Sequence, residues 1–218
     1  MALKVTSLQK MNSYLFPVPI FKTSSKFNKV IEVSLENGKL VLNSKNANYS
    51  YGSLFAIFKK SFEVFRISFE NKKNVLMLGL GGGSVVKYLA SEFSHLNIDS
   101  VELDPVIIEV ANEYFGLDEF KNITTICDDA NEFVKTNTKK YDLILIDLFI
   151  DTEPPPFCFE DAFIKNISAL CNKKGQVLFN QSMKVKLPDG ENQYSRYFER
   201  TVRKKILHNS ILLMEHPK

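Results

Sequence analysis

Residues 75–104 read VLMLGLGGGSVVKYLASEFSHLNIDSVELD, and this stretch decides the fold. A run of strand-forming residues over 75–78 leads into a glycine cluster at 79–83. A helical segment follows, and a second strand over 98–103 carries Glu102 near its end. Glycines at a strand-to-helix turn let a backbone approach a ligand closely. An acid at the tip of the next strand can accept the hydroxyl hydrogens of a ribose. The stretch therefore predicts a nucleoside site in a βαβ unit.

Strands and helices alternate along the rest of the chain. Such alternation predicts an α/β fold with a mostly parallel sheet and helices on both faces. In such sheets, ligands bind beyond the carboxyl ends of the strands, where the strand order reverses. The predicted strands are 75–79, 98–103, 122–127, 141–147 and 175–180, and the tail 206–215 is expected to supply a final antiparallel pair turned at 208–210. The predicted helices are 50–66, 84–94, 105–115, 130–137, 159–171 and 191–204.

The first fifty residues have a different pattern. Two apolar runs within 30–42 flank Asn37-Gly38, the dipeptide that favours a tight hairpin turn. We therefore expect a small β region over 1–50 and a cofactor-binding domain over 51–218.

Length and composition place limits on the function. The chain has 218 residues, of which 44% are hydrophobic and 24% charged, and its net charge is +3, so a nucleic-acid partner is not expected. The three cysteines, Cys127, Cys158 and Cys171, show no paired spacing, which favours reduced thiols over disulfides or a metal site. No uncharged apolar run reaches the roughly 20 residues of a membrane span, and the first residues lack a signal-peptide pattern. We expect a cytoplasmic protein without a membrane partner.

Acidic residues follow successive predicted strands. Glu102 lies inside a strand tip, which favours a ligand role over a capping role. Asp104 precedes Pro105, so it can cap the following helix, bind a ligand, or do both. Asp129 can likewise cap a helix, while its neighbour Asp128 is expected to be solvated.

A further acid, Asp147, follows the most apolar predicted strand, 143–146. An acid directly after such a run is expected to point out of the core and over the ligand cleft. The loop 148–156 that comes next carries three prolines and is expected to form one wall of a substrate pocket.

The glycine spacing distinguishes two classes of cofactor. A dinucleotide site requires GxGxxG, and here Ser84 occupies the third glycine position. An S-adenosylmethionine site requires GxGxG, and Gly79, Gly81 and Gly83 fill all three positions. A carboxylate at Asp129 can hold an adenine amino group. S-adenosylmethionine is therefore favoured, with a nicotinamide oxidoreductase as the more distant alternative.

Four segments resemble the spermidine synthase family and its methyltransferase-like relatives in the class I S-adenosylmethionine-dependent superfamily: VLMLGLGGGS, VELDPVIIEVANEYF, ICDDANEF and YDLILIDLF. The resemblance implies a Rossmann-like fold with a mostly parallel seven-stranded sheet and a small N-terminal β region, and it suggests a homodimer. It implies that Glu102 binds ribose, Asp129 binds adenine, Asp147 is the catalytic aspartate and Tyr51 contacts substrate. The cofactor would be S-adenosylmethionine or its decarboxylated form. The expected cofactor-binding set is Gly79, Gly81, Gly82, Gly83, Glu102, Leu103, Asp104, Asp129, Ala130 and Asp147, and the expected substrate-side residues are Tyr51 and Asp151.

The chain also departs from the family pattern. Gly82 stands where the family has an aspartate that pairs with the amine of decarboxylated S-adenosylmethionine. The second acid of the family's DSSDP is missing or displaced to Asp151, and the glutamate expected after Tyr51 is replaced by Ser53. Binding a polyamine requires paired carboxylates, because an unpaired buried charge costs several kcal/mol. We therefore expect a methyltransferase acting on a small-molecule acceptor. The alternatives are an aminopropyltransferase with an altered polyamine site and a non-catalytic member that binds an adenosyl ligand or a protein.

Overall fold

The computed structural model describes residues 5–44, 48–50, 53–150, 153–181 and 191–218, which form two sheets and their helices. The strands are β1 (Val18–Thr23), β2 (Ile31–Glu36), β3 (Lys39–Ser44), β4 (Asn48–Ser50), β5 (Asn74–Leu78), β6 (Asn97–Glu102), β7 (Ile123–Cys127), β8 (Tyr141–Ile146), β9 (Cys171–Asn180), β10 (Phe198–Ile206) and β11 (Asn209–Pro217). The α-helices are α1 (Ser7–Asn12), α2 (Ser53–Val64), α3 (Ser84–Glu92), α4 (Pro105–Phe115), α5 (Ala130–Thr136), α6 (Asp161–Leu170) and α7 (Glu191–Ser195).

The N-terminal sheet is antiparallel, with strand order β1-β2-β3-β4. The predicted hairpin is confirmed: β2 pairs with β3, and the turn residues Asn37 and Gly38 have φ of 50° and 75°. Positive φ at both central residues is the backbone of a type I′ turn, which suits the twist of paired strands. Pro19 lies in the edge strand β1, the position where a missing N–H group costs no ladder hydrogen bond.

The second sheet has seven strands in the order β10-β11-β9-β8-β5-β6-β7. The five strands from β9 to β7 are parallel, and β10 and β11 are antiparallel additions at one edge. The strand order reverses between β5 and β8, since the chain runs from β5 outward to β6 and β7 and then returns to pair β8 with β5. The predicted Rossmann-like fold with a mostly parallel seven-stranded sheet is thus confirmed.

Helices cover both faces of this sheet because its central strands are apolar on both sides. In β5, Val75 and Met77 belong to one core cluster, while Leu76 and Leu78 belong to the other. All four side chains are at most 2% exposed. Continuous apolar strands of this kind are typical of parallel sheets that are buried on both faces. Among the described residues, no helix is long and apolar enough to cross a membrane.

The prediction of a helix over 191–204 is wrong. Helix α7 ends at Ser195, and Phe198–Ile206 forms β10, which pairs with β11. The antiparallel pair expected in the tail is present, but its turn is Leu207-His208 and its first strand begins at Phe198. Pairing with β11 supplies a ladder of backbone hydrogen bonds that overrides the weak helical pattern of the charged run 199–205.

Candidate functional site

The glycine turn and Asp147 meet at the point where the strand order reverses. Gly79 directly follows β5, and Asp147 directly follows β8. The Asp147 N–H donates to the Leu78 carbonyl at 2.9 Å, and the Gly79 N–H donates to the Val101 carbonyl at 2.9 Å. The two segments thus leave the sheet side by side, at the edge where α/β folds bind their ligands.

The glycines of the turn are required by the protein's own backbone. Gly79 has φ +92°, and a Cβ there would lie 2.3 Å from the Asp147 carbonyl oxygen. Gly83 has φ +73°, and a Cβ there would lie 2.9 Å from a methyl carbon of Leu117. Gly81 also has a positive φ, of 53°, whereas Gly82 does not have one. The sequence predicted that these glycines let the backbone approach a ligand. At Gly79 and Gly83, the backbone instead lies close to other parts of the protein.

The glycine turn leads into α3, and the N-cap residue of this helix provides no side-chain cap for the first backbone N–H groups. Gly83 is the N-cap residue of α3 in the left-handed conformation, and it makes no side-chain capping bond. The N-terminus of a helix carries unsatisfied N–H groups and partial positive charge, so it attracts anionic groups.

The Glu102 carboxylate holds the glycine turn. Its Oε2 accepts hydrogen bonds from the N–H groups of Leu80 at 3.1 Å and Gly81 at 3.3 Å, and its Oε1 accepts one from Asp104 N–H at 3.1 Å. Burial raises the pKa of Glu102, and these three backbone donors oppose the rise. A carboxylate offers about four acceptor positions. Three are in use, which leaves about one for a ribose hydroxyl.

Leu103 and Asp104 are adjacent in sequence but lie in different environments. The Leu103 side chain is 41% exposed, which is unusual for a large apolar residue at a strand end. Asp104 is 1% exposed and caps α4 by accepting from Val106 N–H at 3.0 Å. Its other oxygen accepts from the Ser25 hydroxyl and from the Asn28 amide, the latter at 2.7 Å. Three acceptor positions of this buried carboxylate are thus used within the protein, which gives Asp104 a structural role, and its predicted contact with the cofactor stays a prediction.

Asp129 begins the helix that follows β7. Its Oδ1 accepts from the N–H groups of Asn131 at 2.7 Å and Glu132 at 3.3 Å, so it caps α5 as expected. Its Oδ2 accepts no hydrogen bond from the described part of the chain and is therefore available to an external donor. Ala130 is buried in the first turn of α5, and the Asp128 side chain accepts from the Asp129 N–H at 2.8 Å.

Asp147 is a part-buried carboxylate with one side-chain partner among the described residues. Its Oδ1 accepts a hydrogen bond from the Asn180 amide at 2.9 Å. Burial raises the pKa of Asp147 to about 6, against the opposing effect of that amide. A carboxyl group with this pKa is ionised at neutral pH and basic enough to accept a proton.

The loop after Asp147 is apolar. Ile150 and Glu153 form a short antiparallel bridge, and the Ile150 side chain is 65% exposed. Further along, the Phe159 ring packs on Phe179 with centroids 5.6 Å apart, beside the end of β9. The pocket wall expected from loop 148–156 stays a prediction. Asp151 and Tyr51, expected on the substrate side, lie outside the described residues.

Two asparagines near Asp147 were not predicted from the sequence as site residues. Asn180 is the last residue of β9, and Asn209 is the first residue of β11. Asn209 donates from its side chain to the Asn180 side-chain oxygen at 2.7 Å. The one sequence signal was the position of Asn180, a polar residue at the end of a buried strand, where Glu102 and Asp147 also stand.

A match to a known family decides the identity. The spermine/spermidine synthase domain matches residues 62–211, which is more than half of the chain. The chain belongs to the spermine/spermidine synthase domain family. This membership agrees with the arrangement of the glycine turn, Glu102 and Asp147 at the carboxyl edge of the sheet.

Relatives of this family member fall into two groups. A polyamine aminopropyltransferase of Vibrio vulnificus is 32% identical over 123 residues, covering 55% of this chain and 41% of the relative. An eEF1A lysine and N-terminal methyltransferase homolog of Drosophila melanogaster is 29% identical over 120 residues, covering 50% of this chain and 18% of the relative. The chain therefore matches less than half the length of either relative.

Solved structures of a spermidine synthase and of a methyltransferase-like protein share the fold of this family member. Spermidine synthase from Thermotoga maritima superposes with a TM-score of 0.72 at 16% identity, covering 91% of this chain and 72% of that one. Human methyltransferase-like protein 13, in complex with SAH, superposes with a TM-score of 0.61 at 24% identity, covering 75% of this chain and 78% of that one.

The residues at the strand ends fit an adenosyl-sulfonium cofactor. Glu102 has an acceptor position left for a ribose, Leu103 is exposed, and Asp129 has one oxygen to which no described residue donates. Among the described residues, no group of three or more His, Cys, Asp or Glu side chains is placed to hold a metal ion.

Proposed function

We propose that this family member is an S-adenosylmethionine-dependent methyltransferase. The observation that carries the proposal is the position of Asp147: a carboxylate with a pKa raised to about 6 lies directly beside the glycine turn, where the strand order reverses. A transferase needs a cofactor turn and a proton-accepting group in one cleft, and this arrangement supplies both. The two groups of relatives are transferases by name, which supports the broader assignment.

The cofactor would be held by residues of three strand ends. Glu102 would accept a ribose hydroxyl through its remaining acceptor position. Leu103 would pack against the adenine ring, and Asp129 with the adjacent Ala130 would hold the edge of the adenine. The backbone of the turn Gly79–Gly83 would lie against the rest of the cofactor.

The chemistry required of the protein is modest. S-adenosylmethionine, when bound, supplies an electrophilic methyl group whose bond to sulfur breaks with the electron pair remaining on the sulfur. The chain's own residues have to orient the acceptor and exclude water, and such alignment can lower a barrier by about 7–11 kcal/mol. Asp147 would accept the proton that an amine or hydroxyl acceptor loses as its new bond to carbon forms.

Two features favour methyl transfer over aminopropyl transfer. S-adenosylmethionine carries a carboxylate that its decarboxylated form lacks. The uncapped first turn of α3 suits a carboxylate, since helix N-termini attract anions. Position 82, where the resemblance places an amine-binding aspartate, is a buried glycine with no side chain to offer.

The acceptor is proposed to be a small molecule less charged than a polyamine. The segment beyond Asp147 carries the apolar residues Phe149, Ile150 and Phe159, and its described carboxylate, Glu153, is exposed. Apolar walls bind apolar groups well but offer no pairing for a buried cation.

Aminopropyl transfer is the second candidate, because relatives such as that of Vibrio vulnificus are named polyamine aminopropyltransferases. A third candidate is a non-catalytic member that binds an adenosyl ligand or a protein.

Isothermal titration calorimetry with S-adenosylmethionine and with decarboxylated S-adenosylmethionine tests the proposal. We expect S-adenosylmethionine to bind at least tenfold more tightly. Incubation of radiolabelled S-adenosylmethionine with a deproteinised small-molecule extract should transfer label to a metabolite. Spermidine formation from putrescine and the decarboxylated cofactor would establish the second candidate instead, and absence of binding by both cofactors would favour the third.

Three further properties are proposed rather than observed. We propose that the chain divides near residue 50 into an N-terminal β region and a cofactor domain, that it forms a homodimer, and that it acts in the cytoplasm. Limited proteolysis, analytical ultracentrifugation and cell fractionation test these three properties in turn.

A further inference from the structure

The C-terminal hairpin reaches the proposed catalytic carboxylate through two side-chain amides. Strand β11 pairs with β9, and the Gln181 N–H donates to the Ser210 carbonyl at 2.8 Å. This backbone pairing holds the start of β11 beside the end of β9. It places Asn209 next to Asn180, and Asn180 next to Asp147.

The direction of these hydrogen bonds fixes the orientation of the middle amide. Asn209 donates to the Asn180 Oδ1 at 2.7 Å, so the Asn180 oxygen faces Asn209. The Asn180 NH₂ group then faces Asp147 and donates to its Oδ1 at 2.9 Å. Asn180 is fully buried between its two partners, which are themselves partly buried. A rotated Asn180 amide would set its oxygen against the Asp147 carboxylate, which only accepts hydrogen bonds when ionised, so the carboxylate favours the orientation in which Asn180 donates to it.

We propose that Asn180 and Asn209 are positioning residues that hold Asp147 with one oxygen engaged and the other presented to the acceptor. A donor to the ionised form of a carboxylate stabilises that form, and a fixed rotamer keeps the reacting oxygen in place. The C-terminal hairpin thereby belongs to the active site without touching substrate. The inference rests on the proposed role of Asp147 and adds a functional role for β10 and β11.

The surroundings of Asp147 make this effect measurable. The pKa of Asp147 is governed by burial first and by the Asn180 amide second. The described carboxyl groups that end or follow the neighbouring strands β6 and β7 are Glu102, Asp104, Asp128 and Asp129, and each of them accepts hydrogen bonds from backbone N–H groups. Among the described residues, the Asn180 amide is the one hydrogen-bonding group that lowers the pKa of Asp147, so a change at Asn180 acts on that pKa directly.

The test is a carboxyl titration by NMR of the full chain with ¹³C-labelled aspartate, which needs neither cofactor nor acceptor. The Asp147 signal is assigned with Asp147→Asn. We expect a midpoint near pH 6 in the unchanged protein and a midpoint about one pH unit higher in Asn180→Leu, which keeps the shape and removes the donor. Asn209→Ala should shift the midpoint in the same direction by less. The double variant should match Asn180→Leu alone.

A matched control lies at the opposite edge of the same sheet. There Asn172 donates to Asp142 at 2.7 Å, so Asn172→Leu removes an equivalent amide–carboxylate bond. It should leave the Asp147 midpoint unchanged and raise that of Asp142. An unchanged Asp147 midpoint in folded Asn180→Leu and in Asn209→Ala would overturn the inference. A separate experiment detects failure of the methyltransferase proposal: calorimetry would then show no binding of S-adenosylmethionine.

Discussion

The carbonyl oxygen of Asp147 occupies the space that a side chain at residue 79 would need, since a Cβ at Gly79 would lie 2.3 Å from it. The cofactor turn and the proposed proton acceptor therefore touch through their backbones. Any change that widens this contact moves both groups at once.

Replacement of Gly79 by alanine should cost at least about 3 kcal/mol in the free energy of unfolding, because it combines a positive φ with a clash against backbone. Urea denaturation measures this cost. Gly38→Ala is the matched control: its φ is +75°, but its Cβ would meet the movable Tyr14 hydroxyl at 2.7 Å, so we expect about 1 kcal/mol. Equal costs for the two variants would contradict the backbone contact.

Glu102→Gln should weaken S-adenosylmethionine binding about tenfold or more. Glutamine has one acceptor oxygen, so it cannot receive hydrogen bonds from Leu80 and Gly81 on one side and from Asp104 on the other. Calorimetry gives the dissociation constant. Glu109→Gln removes a similar charge from an exposed position on α4 and should leave the affinity within twofold. An equal loss in both variants would point to net charge instead.

Asp147→Asn should lower the rate of methyl transfer by at least about a hundredfold and lower S-adenosylmethionine affinity by much less. In the unchanged protein, the rate should fall as pH drops through about 6, because protonated Asp147 cannot accept a proton. Assays with the labelled cofactor across pH 5–8 measure both effects. Undiminished turnover in Asp147→Asn would remove the residue from the mechanism.

The same substitution should stabilise the fold at high pH. The pKa of Asp147 is raised to about 6 in the folded state from an ordinary 3.8. The folded state therefore favours the neutral carboxyl group. The contribution of this group to folding stability is fully present below about pH 4 and is lost as pH rises through 6. At pH 8, the free energy of unfolding of Asp147→Asn should therefore exceed that of the unchanged protein by on the order of 1–3 kcal/mol. Thermal unfolding at pH 4 and pH 8 tests whether the difference disappears at the lower pH.

Gly82→Asp should shift cofactor preference toward decarboxylated S-adenosylmethionine. The residue has no positive φ, so its backbone tolerates a side chain, and a carboxylate there could pair with the amine that the resemblance places nearby. We expect the ratio of the two dissociation constants to change by at least tenfold in calorimetry. Gly82→Asn provides the uncharged control, and an equal change in both variants would attribute the effect to bulk.

The sequence predicted the fold correctly where local residue patterns favour the same structure as the tertiary packing. The parallel strands from β5 to β9 are apolar on both faces, and Asn37-Gly38 has a single favoured turn geometry, so sequence predicts both. A helix was wrongly predicted for residues 198–206 because their charged pattern fits a helix. These residues form a strand because they pair with β11. Nonlocal pairing of that kind leaves little trace in a sequence.

The site was predictable to the extent that strand ends gather at one edge. This rule placed Glu102, Asp129 and Asp147 at the carboxyl edge of the sheet. It could not show that Asp104 is already occupied by Ser25 and Asn28, since those partners lie 79 and 76 residues away. Nor could it find Asn209, whose place beside Asn180 depends on the register of β11 against β9.

The position of Asp104 has a thermodynamic consequence. Its backbone N–H bonds to Glu102, while its side chain bonds to Ser25 and Asn28 between β1 and β2. We therefore expect order in the N-terminal sheet and order at the proposed cofactor edge to be coupled through Asp104. Linkage is reciprocal: a molecule that clamps residues 24–28 must change cofactor affinity by the same factor as the cofactor changes the affinity for that molecule. Binding to the N-terminal sheet would then regulate the proposed adenosyl site from a distance, with Asp104 as the residue that contacts both.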